Sequence, residues 1–389
     1  MILFEFEGKK LLSDAGIKVP ASQLLTISDE RLSINFPVVL KAQVLSGKRA
    51  DAGGILFCEE ISNFKFQISN LLGKTINKEV VEKVLVEEKV EILHEYYLSL
   101  SYDTDSRSPV LTFSQSGGTG IEERKPEIFP LNPITKSSTA VDAFVTKMDN
   151  SGKAIVRKLI DLFFDQDCLL LEINPLVKTK SGEWMALDAK IKLDDTAIGR
   201  HETWKSYPPR SVAGYLPTKN EIEAKKIDEN DYRGTAGSTY FDFDGDIAIL
   251  ASGGGASITA MDALLASGGK PANFTEYSGN PPREKVEKLT KIVLDKPNLN
   301  GLWIVGALAN FTDIYETLSG IVDALKKIDP RPKYPIVIRR AGPRDAEAFA
   351  MLRKESGFDL HVYGEETSIP KSAEIIAKLS KEYAERKNK

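Results

Sequence analysis

The second half of the chain alternates short strand-like segments with helical segments, and this alternation constrains the fold more than any other feature of the sequence. The strand-like segments are residues 246–251, 302–305, 336–339 and 360–363. The helical segments are residues 257–266, 314–326, 346–354 and 372–387. Strands and helices that alternate at this spacing predict a doubly wound parallel sheet. Ligands of such sheets bind at the carboxyl ends of the strands.

The first half of the chain has a mixed pattern of helices and strands. Helical segments are predicted at residues 7–15, 64–72 and 140–164, and strands at residues 36–44, 84–88, 96–102 and 110–114. A polar, charged run at residues 219–239 is predicted to link the two halves. We therefore expect an α/β protein with an α+β first domain, residues 1–228, and a doubly wound second domain, residues 229–389.

The composition excludes several classes of protein. With 28% charged residues and a net charge of −4, the 389-residue chain does not predict a nucleic-acid surface. No apolar run is long enough for a membrane span, and Glu5 and Glu7 argue against a secretory signal at the N-terminus. The two cysteines, Cys58 and Cys168, lack the spacing of a zinc site, and we expect a cytoplasmic protein.

A predicted hairpin in the first domain carries unusual polar residues. Apolar residues 168–173 and 184–187 flank the turn sequence KTKSGE. A turn centred on Ser181 places Asn174 opposite Asp188, and Glu172 opposite Lys190. Amide and carboxylate oxygens suit Mg²⁺, which takes a few protein ligands together with phosphates and water. The spacing predicts either a Mg²⁺–nucleotide site or an edge hairpin with solvated polar groups.

A second candidate for phosphate binding follows the predicted strand at residues 36–44. Lys41 lies within this apolar strand, where a charge needs a partner or a function. The next loop contains Lys48 and Arg49 among glycines, which let backbone N–H groups approach an anion. The loop is not a Walker A motif, and a plain basic hairpin is the alternative. Glu87 and Glu95, eight residues apart, indicate no more than surface charge by themselves.

Three segments of the second domain place polar groups where predicted strands end. SGGGAS, residues 252–257, is a glycine-rich turn at a helix start, which exposes unpaired N–H groups to an anion. ALANFTDI, residues 307–314, offers Asn310 and Thr312 as helix caps or as carboxylate ligands. VIRRAGP, residues 337–343, ends a strand with two arginines, which pair with carboxylates. The three strand ends together predict an anionic ligand.

These motifs identify a family resemblance that runs from end to end of the chain. LEINPLV followed by ALDAKIKLDD resembles the β subunits of succinyl-CoA synthetase and the equivalent region of ATP-citrate lyase. GGGAS, EYSGNPP, ALANFTDI, RRAGP and HVYGEET resemble the ATP-citrate lyase branch in particular. The resemblance implies an ATP-grasp domain followed by a flavodoxin-like CoA-ligase domain.

The resemblance also implies roles for individual residues. In the first domain it implies Mg²⁺ on Asn174 and Asp188. The residues it implies for ATP are Lys41, Glu87 and Glu95, with Lys48 and Arg49 in a loop where relatives have GGRGKAGG. In the second domain the implied citrate contacts are Gly254, Ser257, Asn310, Thr312 and either Arg339 or Arg340.

The family chemistry gives the expected function. ATP phosphorylates a histidine, the phosphoryl group moves to a substrate carboxylate, and CoA displaces it to form a thioester. None of the three histidines of this chain lies in a glycine-rich loop. We therefore expect an α-type partner subunit that supplies the phosphohistidine and most of the CoA site, and no catalytic residue on this chain.

The acid substrate stays open at this point. Citrate is the expected substrate, and a succinate or malate CoA ligase β subunit is the alternative. Ala307 stands where a serine is common in the citrate enzymes, and Asp323 stands where an arginine is common. A non-catalytic module that keeps the fold is a further alternative, against which the retained Lys41, Asn174 and Asp188 argue.

Overall fold

The computed structural model describes residues 1–27, 32–118, 125–208, 210 and 216–387. The chain divides into two compact units, Met1–Leu216 and Pro217–Lys389. The helices of the described ranges are all too short or too polar to cross a membrane.

The first unit contains two large antiparallel sheets and a two-stranded antiparallel sheet, β4-β5, together with helices. Its elements in chain order are α1 Glu5–Asp14, β1 Ser22–Thr26, β2 Val38–Ala42, β3 Ile55–Cys58, α2 Ile61–Leu71, β4 Thr75–Ile76, β5 Glu79–Val80, β6 Lys83–Glu88, β7 Ile92–Asp103, β8 Ser108–Ser114, β9 Glu127–Pro130, α3 Thr139–Thr146, α4 Asn150–Asp165, β10 Cys168–Thr179, β11 Trp184–Ala186 and β12 Lys190–Leu193. The smaller of the two large sheets has the order β1-β6-β2-β3, and the larger has the order β11-β10-β7-β8-β9 with β12 also on β10.

Helix α4 shows how the larger sheet acquires its core. Ile155, Leu159 and Phe163 recur at four-residue spacing and are buried in the same hydrophobic cluster as the β7 and β10 side chains. The sequence predicted one helix over residues 140–164, but the structure has two helices there, α3 and α4, separated by residues 147–149. Asp149 caps α4 there, because its carboxylate accepts a hydrogen bond from the Gly152 N–H at 2.7 Å.

The second unit is a five-stranded parallel sheet covered on both faces. Its elements are α5 Lys219–Lys226, β13 Phe241–Asp242, β14 Ile247–Ser252, α6 Gly254–Ala266, β15 Asn273–Phe274, β16 Glu276–Tyr277, α7 Arg283–Leu294, β17 Gly301–Leu308, α8 Ile314–Lys327, β18 Ile336–Ala341, α9 Asp345–Leu352, β19 Leu360–Tyr363 and α10 Ile369–Lys387. The sheet order β16-β14-β17-β18-β19 confirms the predicted doubly wound, flavodoxin-like fold.

The predicted linker is not a linker. Residues 219–226 form α5, which the Thr218 hydroxyl and the Glu221 carboxylate cap reciprocally. Ala224 and Ile227 enter the core that α7 and α8 share with the sheet. The boundary between the compact units therefore lies after Leu216, earlier than the expected boundary after residue 228, because this polar helix still buries an apolar edge.

Candidate nucleotide and carboxylate sites

The hairpin register agrees with the one predicted from the turn. Glu172 of β10 faces Lys190 of β12, and Leu176 faces Ala186 of β11. The Leu187 N–H donates to the Pro175 carbonyl at 3.1 Å, which keeps the same register between the two pairs. Asp188 therefore lies in the short gap between β11 and β12, opposite Asn174 of β10.

Asn174 is oriented by the backbone of Gly118. Its carboxamide oxygen accepts from the Gly118 N–H at 2.7 Å, and its NH₂ group donates to the Gly118 carbonyl at 3.2 Å. Glu95 lies exposed on β7 beside them, since a Cβ atom built on Gly118 would lie 3.3 Å from Glu95 Oε2. The structure thus brings Asn174 and Glu95 to one end of the larger sheet.

A buried charge cluster joins α1 to the strands of both large sheets of the first unit. We define the charge cluster as Glu5, Lys9, Lys41, Arg49, Glu87 and Asp188. Three of these groups are acidic and three are basic, so the charge cluster is formally neutral. Buried charges are tolerated when they are paired in this way.

Lys41 has its hydrogen-bonding capacity filled within the charge cluster. Its Nζ lies 2.9 Å from Glu5 Oε1, 2.7 Å from Glu87 Oε2 and 2.5 Å from the Leu187 carbonyl oxygen. These three acceptors match the three N–H donors of an ammonium group. Burial alone would lower the pKa of Lys41, but the Glu5 and Glu87 charges outweigh burial and raise that pKa.

Arg49 connects the buried side of the charge cluster to its exposed side. Its guanidinium pairs with Glu5, donates to the Ala42 carbonyl at 3.1 Å and lies 3.2 Å from Asp188 Oδ1. The side chains of Glu5, Arg49 and Asp188 are 3%, 11% and 37% exposed, so solvent reaches the charge cluster from the Asp188 side. A phosphate that approaches from solvent meets Asp188 and Arg49 before it meets Glu5.

Asp188 is a candidate ligand for a cation. Burial and the nearby Glu5 carboxylate raise the pKa of Asp188, although Arg49 and Lys41 oppose them. Its Oδ1 accepts from the Ala189 N–H at 2.8 Å and from Arg49. A carboxylate whose charge is disfavoured in this way gains from a bound cation, and the oxygen donors of Asn174 and Asp188 suit Mg²⁺.

The described residues hold no group of three or more His, Cys, Asp or Glu side chains arranged for a metal. The predicted Mg²⁺ site does not require one, because it uses one amide and one carboxylate and leaves the other positions to phosphate and water.

One sequence expectation differs from what the structure describes in the first unit, and one loop residue has an uncommon backbone conformation. Glu87, expected beside the adenine and ribose, is 1% exposed, and its oxygens pair with Lys9 and Lys41. Lys48 is exposed and has φ of 56° where relatives have a glycine, so the loop keeps the left-handed backbone with a side chain that favours it less.

Glu5 and Lys9 of α1 were not predicted as site residues. Their spacing of four residues is a signal that both lie on one helix face. From the sequence alone, such a pair is predicted to be a solvent-exposed ion pair, whereas here both side chains are 3% exposed. Packing of α1 against the strands buries them.

In the second unit, the two arginines of β18 point to opposite faces of the sheet, as neighbours on a strand must. Arg339 lies on the face that α6 and α10 cover, and its guanidinium donates to the Thr367 and Gly306 carbonyls at 2.7 and 2.6 Å. Arg340 lies on the face that α7 and α8 cover. The sequence placed both near the ligand, and the alternation separates them.

Arg340 is fully buried, yet its Nε and Nη2 atoms have no hydrogen-bond partner among the described residues. Its guanidinium passes beside Gly306 of β17, where a Cβ atom would lie 1.7 Å from Nη1, and ends 5.7 Å from the Tyr277 ring centroid. The Tyr277 hydroxyl is also buried and lacks a partner in the described part of the chain. A buried arginine with open donors indicates an anion site.

The other candidates lie at the carboxyl ends of β14 and β17. These neighbouring strands flank the point where the strand order reverses, which is where flavodoxin-like folds bind ligands. Helix α6 begins at Gly254, and the first turn leaves backbone N–H groups without intrahelical partners. Ser257 is buried, and its hydroxyl donates to the Gly254 carbonyl at 2.7 Å. Thr312 is buried and Asn310 exposed before α8.

A network of side chains holds the loops at this sheet edge together. The Asn280 carboxamide oxygen, after β16, accepts from the Asp313 N–H at 2.9 Å. The Asp313 carboxylate caps α8 and pairs with Arg344 at 2.8 Å. These bonds fix the loops without using Arg340. Asp323, inside α8, pairs with Arg283 at the start of α7 at 2.6 and 2.8 Å, which joins the two helices.

Comparisons with known proteins identify the family of the chain. A family model described as an ATP-grasp domain matches residues 2–178, and one described as ATP citrate lyase citrate-binding matches residues 217–378. The succinate–CoA ligase (ADP-forming) β subunit of Staphylothermus marinus is 32% identical over 98% of this chain and 100% of its own length. The same subunit of Methanocaldococcus jannaschii is 33% identical over 89% of this chain and 92% of its own.

A solved structure has the same fold. The ATP citrate lyase of Methanothrix soehngenii, in complex with citrate and coenzyme A, superposes with a TM-score of 0.79 at 24% identity, over 97% of this chain and 99% of that one. The chain belongs to the family of ATP-grasp acid–CoA ligase β subunits that includes these succinate–CoA ligases.

Proposed function

We propose that the protein is the ATP-binding β-type subunit of an ATP-dependent acid–CoA ligase that acts on citrate. The observation that carries the choice of substrate is Arg340, a buried cation with open donors, within a region that matches the citrate-binding family model. Succinate or malate is the alternative, which the succinate–CoA ligase relatives and Asp323 favour.

In the second unit, Arg340 is the main ligand of a substrate carboxylate. A guanidinium pairs with a carboxylate through two parallel N–H···O bonds. Asn310, Thr312 and the backbone N–H groups at the start of α6, around Gly254, donate to the remaining carboxylate and hydroxyl oxygens. Ser257 holds this turn in place, because its hydroxyl donates to the Gly254 carbonyl. Arg339 supports the fold instead, because its guanidinium is committed to the Thr367 and Gly306 carbonyls.

In the first unit, Lys41, Lys48 and Arg49 bind the ATP phosphates, and Glu95 contacts the nucleoside. Asn174 and Asp188 hold Mg²⁺, which when bound neutralises charge on the transferring phosphoryl group. The raised pKa of Asp188 supports this assignment, because a cation there offsets the repulsion between its carboxylate and that of Glu5.

A partner subunit completes the reaction. We assign the phosphohistidine and most of the CoA site to an α-type partner, because the histidines of this chain lie outside both candidate sites. Its two cysteines are free and buried, which supports a cytoplasmic location.

Titration of the chain with citrate, succinate and malate, followed by calorimetry, tests the substrate. We expect citrate to bind and to lose its heat signal in Arg340→Met. Binding of a dicarboxylate alone would replace the citrate proposal with the ligase alternative. If none of the acids binds, the titration is repeated with the partner subunit present, and a second failure contradicts the assignment of the site.

Replacement of Asp188 by alanine tests the nucleotide site separately. An enzyme subunit should lose Mg-ATP-dependent phosphorylation of its partner, measured with radiolabelled ATP. A binding module with the same fold would lose nothing.

A further inference from the structure

Lys9 and Lys41 share one set of acceptors. Lys9 Nζ lies 2.8 Å from Glu5 Oε1 and 2.8 Å from the Leu187 carbonyl oxygen, and it also bonds Glu87 Oε1. Lys41 bonds the same Glu5 oxygen, the same carbonyl and the other oxygen of Glu87. Two ammonium groups therefore neutralise the same two carboxylates.

The two lysines differ in how close they are to solvent. The Lys9 side chain is 3% exposed and the Lys41 side chain 9% exposed, and Lys41 belongs to the same strand-and-loop segment as Arg49. The ion pairs of Lys9 go to Glu5 and Glu87, which are buried, whereas Arg49 pairs with both Glu5 and the partly exposed Asp188. A ligand that arrives from the Asp188 side can engage Lys41 without touching Lys9.

Without Lys9, the movement of Lys41 from its carboxylate partners to a nucleotide would be energetically costly. Breaking a buried ion pair on one side leaves an uncompensated charge, which is strongly unfavourable. Glu87 has both oxygens on the two lysines, so without Lys9 it would depend on Lys41 entirely. With Lys9 in place, Glu5 and Glu87 keep a cation when Lys41 turns away.

We propose that Lys9 is a positioning residue of the nucleotide site, which holds Glu5 and Glu87 so that Lys41 is free to bind the ATP phosphates. The inference rests on the proposed role of Lys41 and adds α1 to the nucleotide site. Lys9 itself touches no nucleotide in this arrangement.

Binding of MgATP to the full-length chain, measured by calorimetry, tests the role of Lys9. We expect Lys9→Met to weaken binding about tenfold, within the range of coupling seen in charge networks. Lys10→Met is the matched control, because Lys10 is the neighbouring lysine, lies exposed and pairs with Asp14 on the surface. Lys10→Met should bind MgATP as the wild type does.

A double-mutant cycle with Glu87→Gln separates positioning from packing. In the Glu87→Gln background, residue 87 carries no charge, so it is not left unpaired when Lys41 moves to the nucleotide. Lys9→Met should then weaken MgATP binding by less than about threefold. An equal cost of Lys9→Met in both backgrounds, or no cost in the wild type, overturns the proposal. If Lys9→Met alone does not fold, the double variant is compared with Glu87→Gln, and a tenfold loss there overturns it.

Lys41→Met distinguishes the two levels of inference. If Lys41→Met binds MgATP normally, the proposed nucleotide role of Lys41 fails. If Lys41→Met loses binding but Lys9→Met does not, the proposed function stands and the role of Lys9 fails.

Discussion

The two units each bury a cation, but in opposite electrostatic situations. Lys41 lies in a formally neutral cluster with an acceptor for each N–H donor. Arg340 is buried with two guanidinium nitrogens unpartnered in the described structure. Lys41 stabilises the fold without a ligand, whereas the Arg340 guanidinium has donors that an anion could accept from. Open hydrogen bonds therefore indicate the ligand at Arg340, whereas Lys41 has to leave its partners before it can bind a phosphate.

The stability of two matched variants would break this comparison most directly. Lys41→Met leaves the charge cluster with a net charge of −1, although Lys9 still pairs with Glu5 and Glu87, and should cost about 3 kcal/mol in the first unit. Arg340→Met removes an unpartnered charge and should leave the second unit within about 1 kcal/mol of the wild type, or stabilise it. Hydrogen exchange read by mass spectrometry reports each unit separately. A loss of similar size in Arg340→Met would mean that Arg340 is paired without a ligand.

The same arginine should dominate carboxylate binding. Removing one side of a buried, hydrogen-bonded charge pair costs about 3 kcal/mol, so Arg340→Met should bind citrate about 100-fold more weakly. Arg339→Met, in which two bonds to backbone carbonyls are lost, should destabilise the second unit and change citrate affinity far less. Calorimetry of the two variants decides, and a larger affinity loss in Arg339→Met would exchange the two roles.

Gly306 tests the position of Arg340 rather than its charge. A Cβ atom there would lie 1.7 Å from Arg340 Nη1 and 2.9 Å from the Ser252 carbonyl oxygen. Overpacking of this kind costs about 1–3 kcal/mol, and Gly306→Ala should weaken citrate binding about tenfold. In the Arg340→Met background, the same substitution should leave citrate affinity unchanged. A further loss there would show that Gly306 acts on another ligand contact.

Sequence predicted the hairpin of the first unit well, because turn chemistry and a two-residue period determine register. Glu172 and Lys190 pair as expected, and Asn174 of β10 lies opposite Asp188, which is in the gap between β11 and β12. The same period separates Arg339 from Arg340, but it does not say which face of the sheet leaves its arginine unpartnered. That depends on Gly306, which gives the Arg340 side chain room beside β17.

The role of α1 could not be predicted in the same way. Glu5 and Lys9 have the spacing of an ordinary surface ion pair. Their burial depends on strands that lie distant in the sequence, as the bond from Lys9 to the Leu187 carbonyl illustrates. Glu87 was expected at the nucleoside because the family pattern gives its position in the sequence. The pattern does not show that Lys9 and Lys41 are its partners.

The stability of the charge cluster should depend on pH in acid, because Glu5 is ionised and paired there. Burial alone would raise the pKa of Glu5, but the charges of Lys41, Lys9 and Arg49 outweigh burial and hold that pKa well below its ordinary value. Stability from Glu5 is then complete above the unfolded pKa, about 4.3, and is lost as the pH falls through the lower folded value.

Urea unfolding of the wild type and Glu5→Gln in acid measures this contribution. The wild type should lose stability faster than Glu5→Gln below about pH 4, by at most about 1.4 kcal/mol per pH unit, the slope for one proton. Identical slopes would show that Glu5 is not the group that titrates.

The smallest effect is expected at Asp323. Its pair with Arg283 is partly exposed, with side chains 27% and 41% accessible, and such pairs contribute about 0.2–1 kcal/mol after solvent screening. Because Arg283 already neutralises Asp323, Asp323→Asn should change stability by less than about 1 kcal/mol and citrate affinity by less than about twofold. Calorimetry and thermal unfolding measure both.

A large change in affinity in Asp323→Asn would place this position in the substrate site and favour a dicarboxylate. Asp323 therefore tests whether open hydrogen-bond donors, as at Arg340, mark the ligand site. It is charged, but its bonds to Arg283 are made. If a paired charge alters recognition as strongly as Arg340 does, open hydrogen-bond donors are not what marks the ligand site of the second unit.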